Sequence, residues 1–263
     1  MASVFDELKR TALEMAWPTR CIGCDKTGPL LCSSCEKSLS WILQRWACPV
    51  CGAPYGWLTC TECRNDWELR SCVSAFIFDG PAARLVSVYK DENERRLAGV
   101  LAASIACALD ESSSWQTATK PARGCTPAEA REIKHLRTRH RGEGRFSENN
   151  LDALCFIPAT QEAYLRRGFD HMEDVARKLG ALLGLPVVDA LMRGTAQDQR
   201  ALNRAERIEN TRGTFRVVEE VRGAHILLVD DVITTGASVR EATRALLERG
   251  ACSVSGASVC RTW

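Results

Sequence analysis

Hydrophobic and polar positions divide this chain into three regions. The most apolar stretch, "HILLV" at 225–229, reads as a buried strand ending at Val229. Helical periodicity follows over 237–250, closed by Gly250 in the usual C-terminal position, and "CSVSGASVC" at 252–260 reads as another strand. Strand, helix and strand at this spacing form a βαβ unit, so the sheet is expected to be at least partly parallel. A strand and turn are predicted over "CVSAFIFDG", 72–80, and a short buried strand over "ALCFIPAT", 153–160. Helices are predicted over 82–109, as two segments broken near Asp91, and over 171–184, ending at a glycine. Residues 1–16 are predicted as a short amphipathic helix, with Val4, Phe5, Leu8, Ala12, Leu13 and Met15 on its apolar side. Residues 17–70 lack long periodicity, and 110–149 are polar and turn-rich. The expected organisation is a small module over 1–70 and an α/β domain over 71–263 with a polar insertion near 110–149.

Composition adds limits. The chain has 263 residues, 45% of them hydrophobic, which is enough for a sizeable core. A net charge of +2 favours no particular partner. The insertion is locally basic: 131–145 holds six Arg or Lys against two Glu, net +4, a candidate nucleic-acid contact or a solvated loop. No apolar run approaches the length of a membrane span, and the first residues lack the apolar centre of a secretory signal. The expected location is cytoplasmic, with no membrane insertion.

Fourteen cysteines in a reducing compartment are not expected to form disulfides. Eight of them make four CxxC pairs: Cys21/Cys24, Cys32/Cys35, Cys48/Cys51 and Cys60/Cys63. A CxxC turn sets two thiolates on one side of a knuckle, and two facing knuckles make a tetrahedral cage suited to zinc. The natural grouping gives two structural zinc ions, one on Cys21, Cys24, Cys32 and Cys35 and one on Cys48, Cys51, Cys60 and Cys63. Spacing alone leaves open an interleaved grouping, an iron–sulfur cluster or reduced thiols. Five of the seven tryptophans lie between Trp17 and Trp67, either packed beside a small metal core or available to stack on bases. Lys and Arg number eight over 1–70, as do Asp and Glu, so this module is no phosphate-tracking surface.

The strongest chemical signal follows the apolar strand. Asp230 and Asp231 emerge at its carboxyl end, where ligands bind in open α/β sheets. "TTGAS", 234–238, then leads into a helix, and its backbone N–H groups together with the hydroxyls of Thr234, Thr235 and Ser238 make an anion site. Gly236 lets backbone approach the anion. A phosphate on the loop and a vicinal diol on the acids describe a sugar phosphate. A helix cap needs one acid, whereas two adjacent acids repel each other and need another reason.

"ILLVDDVITTGAS" resembles the phosphoribosyl-diphosphate (PRPP) motif of type I phosphoribosyltransferases. A cysteine ribbon ahead of such a domain resembles the ComF family, linked to DNA uptake in natural competence. "YLRRGFDH" (164–171), "RGTAQDQRALNRAERIENTRGTF" (193–215) and "VYK" (88–90) resemble further segments of that family, in order. The resemblance implies a type I phosphoribosyltransferase-like sheet flanked by helices behind a four-cysteine zinc ribbon. It implies that Asp230 and Asp231 contact the ribose hydroxyls, that Val232, Thr234, Thr235, Gly236, Ala237 and Ser238 complete the PRPP site, and that Mg2+ accompanies the diphosphate. Lys90, Arg166 and Arg167 are the expected cations near the diphosphate, with Arg204 and Arg207 as further options. The chain departs from the family at "IPAT" (157–160), where Pro-Val-Pro is usual, at Leu165 in place of Arg, and at Asp170 in place of Asn. Two functions are implied. One is a PRPP-binding competence protein that handles single-stranded DNA with other competence-machinery proteins. The other is an active magnesium-dependent phosphoribosyltransferase of nucleotide metabolism or salvage.

Overall fold

The computed structural model describes residues 18–57, 60–63, 67–112, 151–194 and 213–263. The N-terminal amphipathic segment, the basic 131–145 stretch, Arg204 and Arg207 lie outside them. The described strands are β1 (Cys72–Ile77), β2 (Ala153–Phe156), β3 (Leu191–Arg193), β4 (Phe215–Val217), β5 (His225–Ile233) and β6 (Ser253–Arg261). The helices are α1 (Ser33–Lys37), α2 (Gly80–Asp91), α3 (Ala98–Glu111), α4 (Gln161–Arg167), α5 (His171–Leu183) and α6 (Ala237–Glu248). Four strands form one parallel sheet in the order β1-β6-β5-β2, and β3 and β4 form a small antiparallel pair.

Residue alternation explains the layers. Along β5, Leu227 and Val229 join a core that includes α2, α3 and α5. Ile226 and Leu228 face the other way, into a second core with α6 and the β3–β4 pair. Burying each of these side chains contributes roughly 1.5–3 kcal/mol. Helix α5 presents Met172, Val175, Ala176, Leu179 and Leu183 as one buried stripe. Helix α6 does the same with Val239, Ala242 and Leu246. The predicted break near Asp91 is where α2 ends.

Two strand ends differ from the sequence expectation, and the difference makes the site. Strand β5 does not stop at Val229 but runs through both acids to Ile233. It can do so because β6 stays paired beside it, Asp230 with Ser258 and Ile233 with Arg261. On the other side β2 stops at Phe156, opposite Val229, and "IPAT" leaves the sheet as a loop. Asp230 and Asp231 therefore lie just beyond the point where one neighbouring strand ends and a cleft opens.

The cysteine-rich module packs along the sheet rather than hanging from a linker. Ile42 N–H donates to Ala75 O, Ile77 N–H donates to Ser40 O, and the Gln44 side chain donates to Ser74 O. These bonds cover the outer edge of β1, which would otherwise offer unpaired backbone groups. No helix among the described residues is long and apolar enough to cross a membrane.

Candidate functional site

A cleft of about 310 Å³ opens at the carboxyl end of β5 and is lined by Lys90, Ile157, Pro158, Ala159, Thr160, Ala163, Arg167, His171, Arg193, Asp230, Asp231, Val232 and Ser238. Each wall has a local cause. The last turn of α2 delivers Lys90. Thr160 starts α4 by accepting from the Ala163 N–H, and Asp170 starts α5 by accepting from the N–H groups of Met172 and Glu173. The other carboxylate oxygen of Asp170 accepts from the Ala159 N–H at 2.7 Å. Asp170 thus anchors "IPAT" to α5, and the Ala159 amide is committed to it rather than facing a ligand.

The two acids are not equivalent. Asp230 and Asp231 retain 9% and 7% of their accessible surface. Asp231 Oδ2 receives Lys90 Nζ at 2.5 Å and His171 Nε2 at 3.0 Å. Arg167 Nη1 lies 3.3 Å from His171 Nδ1. An arginine can only donate, so Nδ1 accepts and Nε2 carries the proton given to Asp231. Burial opposes the charge on Asp231, but the His171 hydrogen bond and Lys90 outweigh it, and its carboxyl is held below the ordinary range. Asp230 goes the other way: burial first, then the neighbouring Asp231 charge, push its carboxyl well above the ordinary range. The local cations serve Asp231, while Asp230 sits beside an anion in a dry place.

Sequence reasoning grouped Arg166 with Arg167, and the structure separates them. Arg167 lines the cleft with its side chain 8% exposed, whereas Arg166 points outward at 65% and lies 3.9 Å from Asp91. Of the expected phosphate loop, Val232 and Ser238 line the cleft, Thr234 is exposed, and the Thr235 hydroxyl accepts from the Ala237 N–H. Gly236 adopts a left-handed conformation, φ +74°, directly before α6. A Cβ on Gly236 would lie 2.5 Å from the Trp67 indole, so the space it leaves is filled by that ring.

Three functional candidates are not singled out by the sequence. His171 looked like an ordinary helix residue. Arg193 was noted only within a longer motif, but it lines the cleft, with burial lowering its pKa against the pull of Asp230 and Asp231. Arg261 sits at the end of β6 with no exposed surface, and its guanidinium donates to the carbonyls of Ile233 and Thr234.

The cysteines gather in two groups of four, Cys21/Cys24/Cys32/Cys35 and Cys48/Cys51/Cys60/Cys63, with the sulfurs of each within 4.8 Å of one another. Cys24 and Cys32 sulfurs lie 3.8 Å apart, and Cys48–Cys63 and Cys51–Cys60 both 3.5 Å. Tetrahedral zinc with Zn–S bonds near 2.3 Å separates its sulfurs by about 3.8 Å. Each group therefore fits one closed, structural ion, in the grouping that spacing suggested. Within each group one thiol is pulled down while buried neighbours, Cys35 in the first and Cys51 and Cys63 in the second, are pushed up. Cys48 falls to about 5 through its Cys51 hydrogen bond. Cys21 falls to about 6 because knuckle N–H groups outweigh its desolvation.

Residues 163–262 match the model of the phosphoribosyl transferase domain. A DNA utilization protein YhgH of Salmonella typhi is 27% identical over 88% of this chain and 90% of its own. The YhgH of Escherichia coli (strain K12) is 34% identical, but over 42% of this chain and half the length of that protein. The competence protein ComFC of Bacillus subtilis (strain 168) is 26% identical over 88% of this chain and 84% of its own. A solved L. donovani hypoxanthine-guanine phosphoribosyl transferase aligns at 15% identity over 62% of this chain and 71% of that one, with a TM-score of only 0.29. A phosphoribosyltransferase domain match behind two four-cysteine clusters, with YhgH and ComFC relatives that align along most of the chain, supports the resemblance to the ComF family.

Proposed function

We propose that this chain binds PRPP or a closely related phosphoribosyl compound in the β5 cleft and works in DNA uptake and utilisation, as the names of its relatives suggest. The observation that carries the reading is the asymmetric acid pair. Asp231 is pre-ordered as an anion by Lys90 and His171, while Asp230 is held at a cost that a ligand would relieve. Stored destabilisation of this kind marks binding sites. Ribose hydroxyls donate to the carboxylates, and the turn around Gly236 with the N-terminus of α6 receives the 5′-phosphate.

Lys90, Arg167 and Arg193 supply positive charge for the diphosphate. Arg166, turned away, is given no role there. A hard divalent cation suits carboxylate and phosphate oxygens. Asp230 and Asp231 are the residues that would hold Mg2+ together with the ligand, where it would offset the diphosphate charge. The Ala159 amide is engaged by Asp170, and among the described lining residues the His171 ring is already held between Arg167 and Asp231, so binding is favoured over transfer. In this reading the chain handles single-stranded DNA as a PRPP-responsive accessory factor within the cell.

The test is to incubate protein, magnesium, PRPP and candidate acceptors while measuring PRPP binding and diphosphate release. Binding that depends on Asp230 and Asp231, without turnover and beside salt-sensitive single-strand binding, supports the proposal. Turnover lost in the double Asp→Asn variant supports the enzyme instead, and absence of PRPP binding rejects both.

A further inference from the structure

The second four-cysteine knuckle reaches the phosphate loop by two independent contacts. Glu62 lies inside the knuckle, between Cys60 and Cys63, with its carboxylate 3.9 Å from Arg261 Nη2. Arg261 in turn donates to the carbonyls of Ile233 and Thr234, at the start of the loop. Trp67, four residues beyond Cys63, belongs to the apolar cluster around Cys48, Cys51, Cys60 and Cys63 and also to the core beneath α6. Its indole fills the space a side chain on residue 236 would occupy.

Neither contact is the cheapest way to build a core. Arg261 has no exposed surface, and among the described residues its Nε has no hydrogen-bond partner and its Nη2 has only the longer Glu62 ion pair. The Trp67 indole N–H is likewise buried, with no hydrogen-bond partner among the described residues. Leaving such donors unmet is costly. Groups kept at that cost, both aimed at one turn, fit a role in setting the geometry of that turn.

We infer that the second four-cysteine site is a clamp on the phosphate loop, with Trp67 and Arg261 as positioning residues, so that zinc occupancy there and phosphoribosyl binding favour each other. The inference rests on the phosphoribosyl reading of the cleft. Zinc in the knuckle fixes Glu62 and Trp67, these fix the backbone from Thr234 to Gly236, and a 5′-phosphate finds its donors already arranged. Linkage requires the effect to run both ways, because a ligand that favours the ordered loop also favours the knuckle that orders it.

Zinc affinity is measured by competition with a chelator, with and without ribose 5-phosphate, a probe without a diphosphate to compete for metal. The two sites are assigned with Cys24→Ser, which loosens the first. The expected result is that ribose 5-phosphate tightens the second site about fivefold or more and leaves the first unchanged. Trp67→Leu and Glu62→Gln should each bring that factor toward one while still binding two zinc ions. Glu62→Gln alters a surface-reaching side chain and carries the test if Trp67→Leu does not fold. Ribose 5-phosphate binding that depends on Asp230 but leaves both zinc affinities unchanged overturns the clamp and spares the phosphoribosyl reading. A full factor retained in Glu62→Gln and Trp67→Leu also overturns it. No ribose 5-phosphate binding to the wild type overturns both.

Discussion

At the scale of single residues, the site is defined by how unequally it treats two neighbouring aspartates. Asp231→Asn leaves Lys90 and His171 facing a neutral amide, and should destabilise the free protein by about 1–3 kcal/mol. Asp230→Asn removes a buried carboxylate beside another anion, and should leave stability unchanged or raise it by about 1 kcal/mol. Thermal melting of both variants without ligand checks the contrast. Acidity should separate them too. The raised Asp230 carboxyl favours the folded state below the ordinary carboxylate pKa, and this gain is lost as pH rises through its folded value. The lowered Asp231 carboxyl favours the folded state above the ordinary value, and this gain is lost only as pH falls through its own. Mild acidification should therefore stabilise the wild type relative to Asp230→Asn, a gain that levels off below the ordinary carboxylate pKa, whereas stronger acid should destabilise both proteins through Asp231. The acid pair was legible as sequence because two adjacent carboxylates after an apolar strand are rare without a purpose. His171, Arg193 and Arg261 were not, because a charged residue in a sequence reads as solvated until the tertiary fold brings another element over it.

At the scale of elements, the strand–loop–helix unit around 225–250 was readable from periodicity, whereas its boundaries were not. Whether β5 stops at Val229 or continues to Ile233 depends on which neighbouring strand persists beside it, a fact of pairing rather than pattern. Separating Arg166 from Arg167 required the phase of a short helix against the cleft, which 7 residues do not reveal alone. Glycine roles also needed the neighbours. Gly236 was expected to admit an anion, and its empty face is in fact packed by Trp67. Gly236→Ala meets both a positive φ and that ring, and should abolish ribose 5-phosphate binding in a calorimetric titration. In the first knuckle, a Cβ on Gly23 would lie 2.6 Å from the Cys35 sulfur. Gly23→Ala should lower bound zinc from about two ions per chain to about one, by metal analysis.

At the scale of the whole molecule, a module with two four-cysteine clusters lies along one edge of a phosphoribosyltransferase-like sheet, and the proposed phosphate loop lies on the opposite side of β6, in contact with that module through Arg261 and Trp67. The division into a cysteine-rich region and an α/β region was visible in composition, but their mutual dependence was not, because Glu62, Trp67 and Arg261 meet only in three dimensions. Phosphoribosyl recognition by the β5 cleft is the central claim. Its most direct test is a calorimetric titration of the zinc-loaded protein with PRPP and magnesium, repeated on Asp230→Asn/Asp231→Asn. One binding event per chain is expected, and it should disappear in the double variant while the zinc content stays the same. No binding by the wild type, or equal binding by the variant, would contradict it.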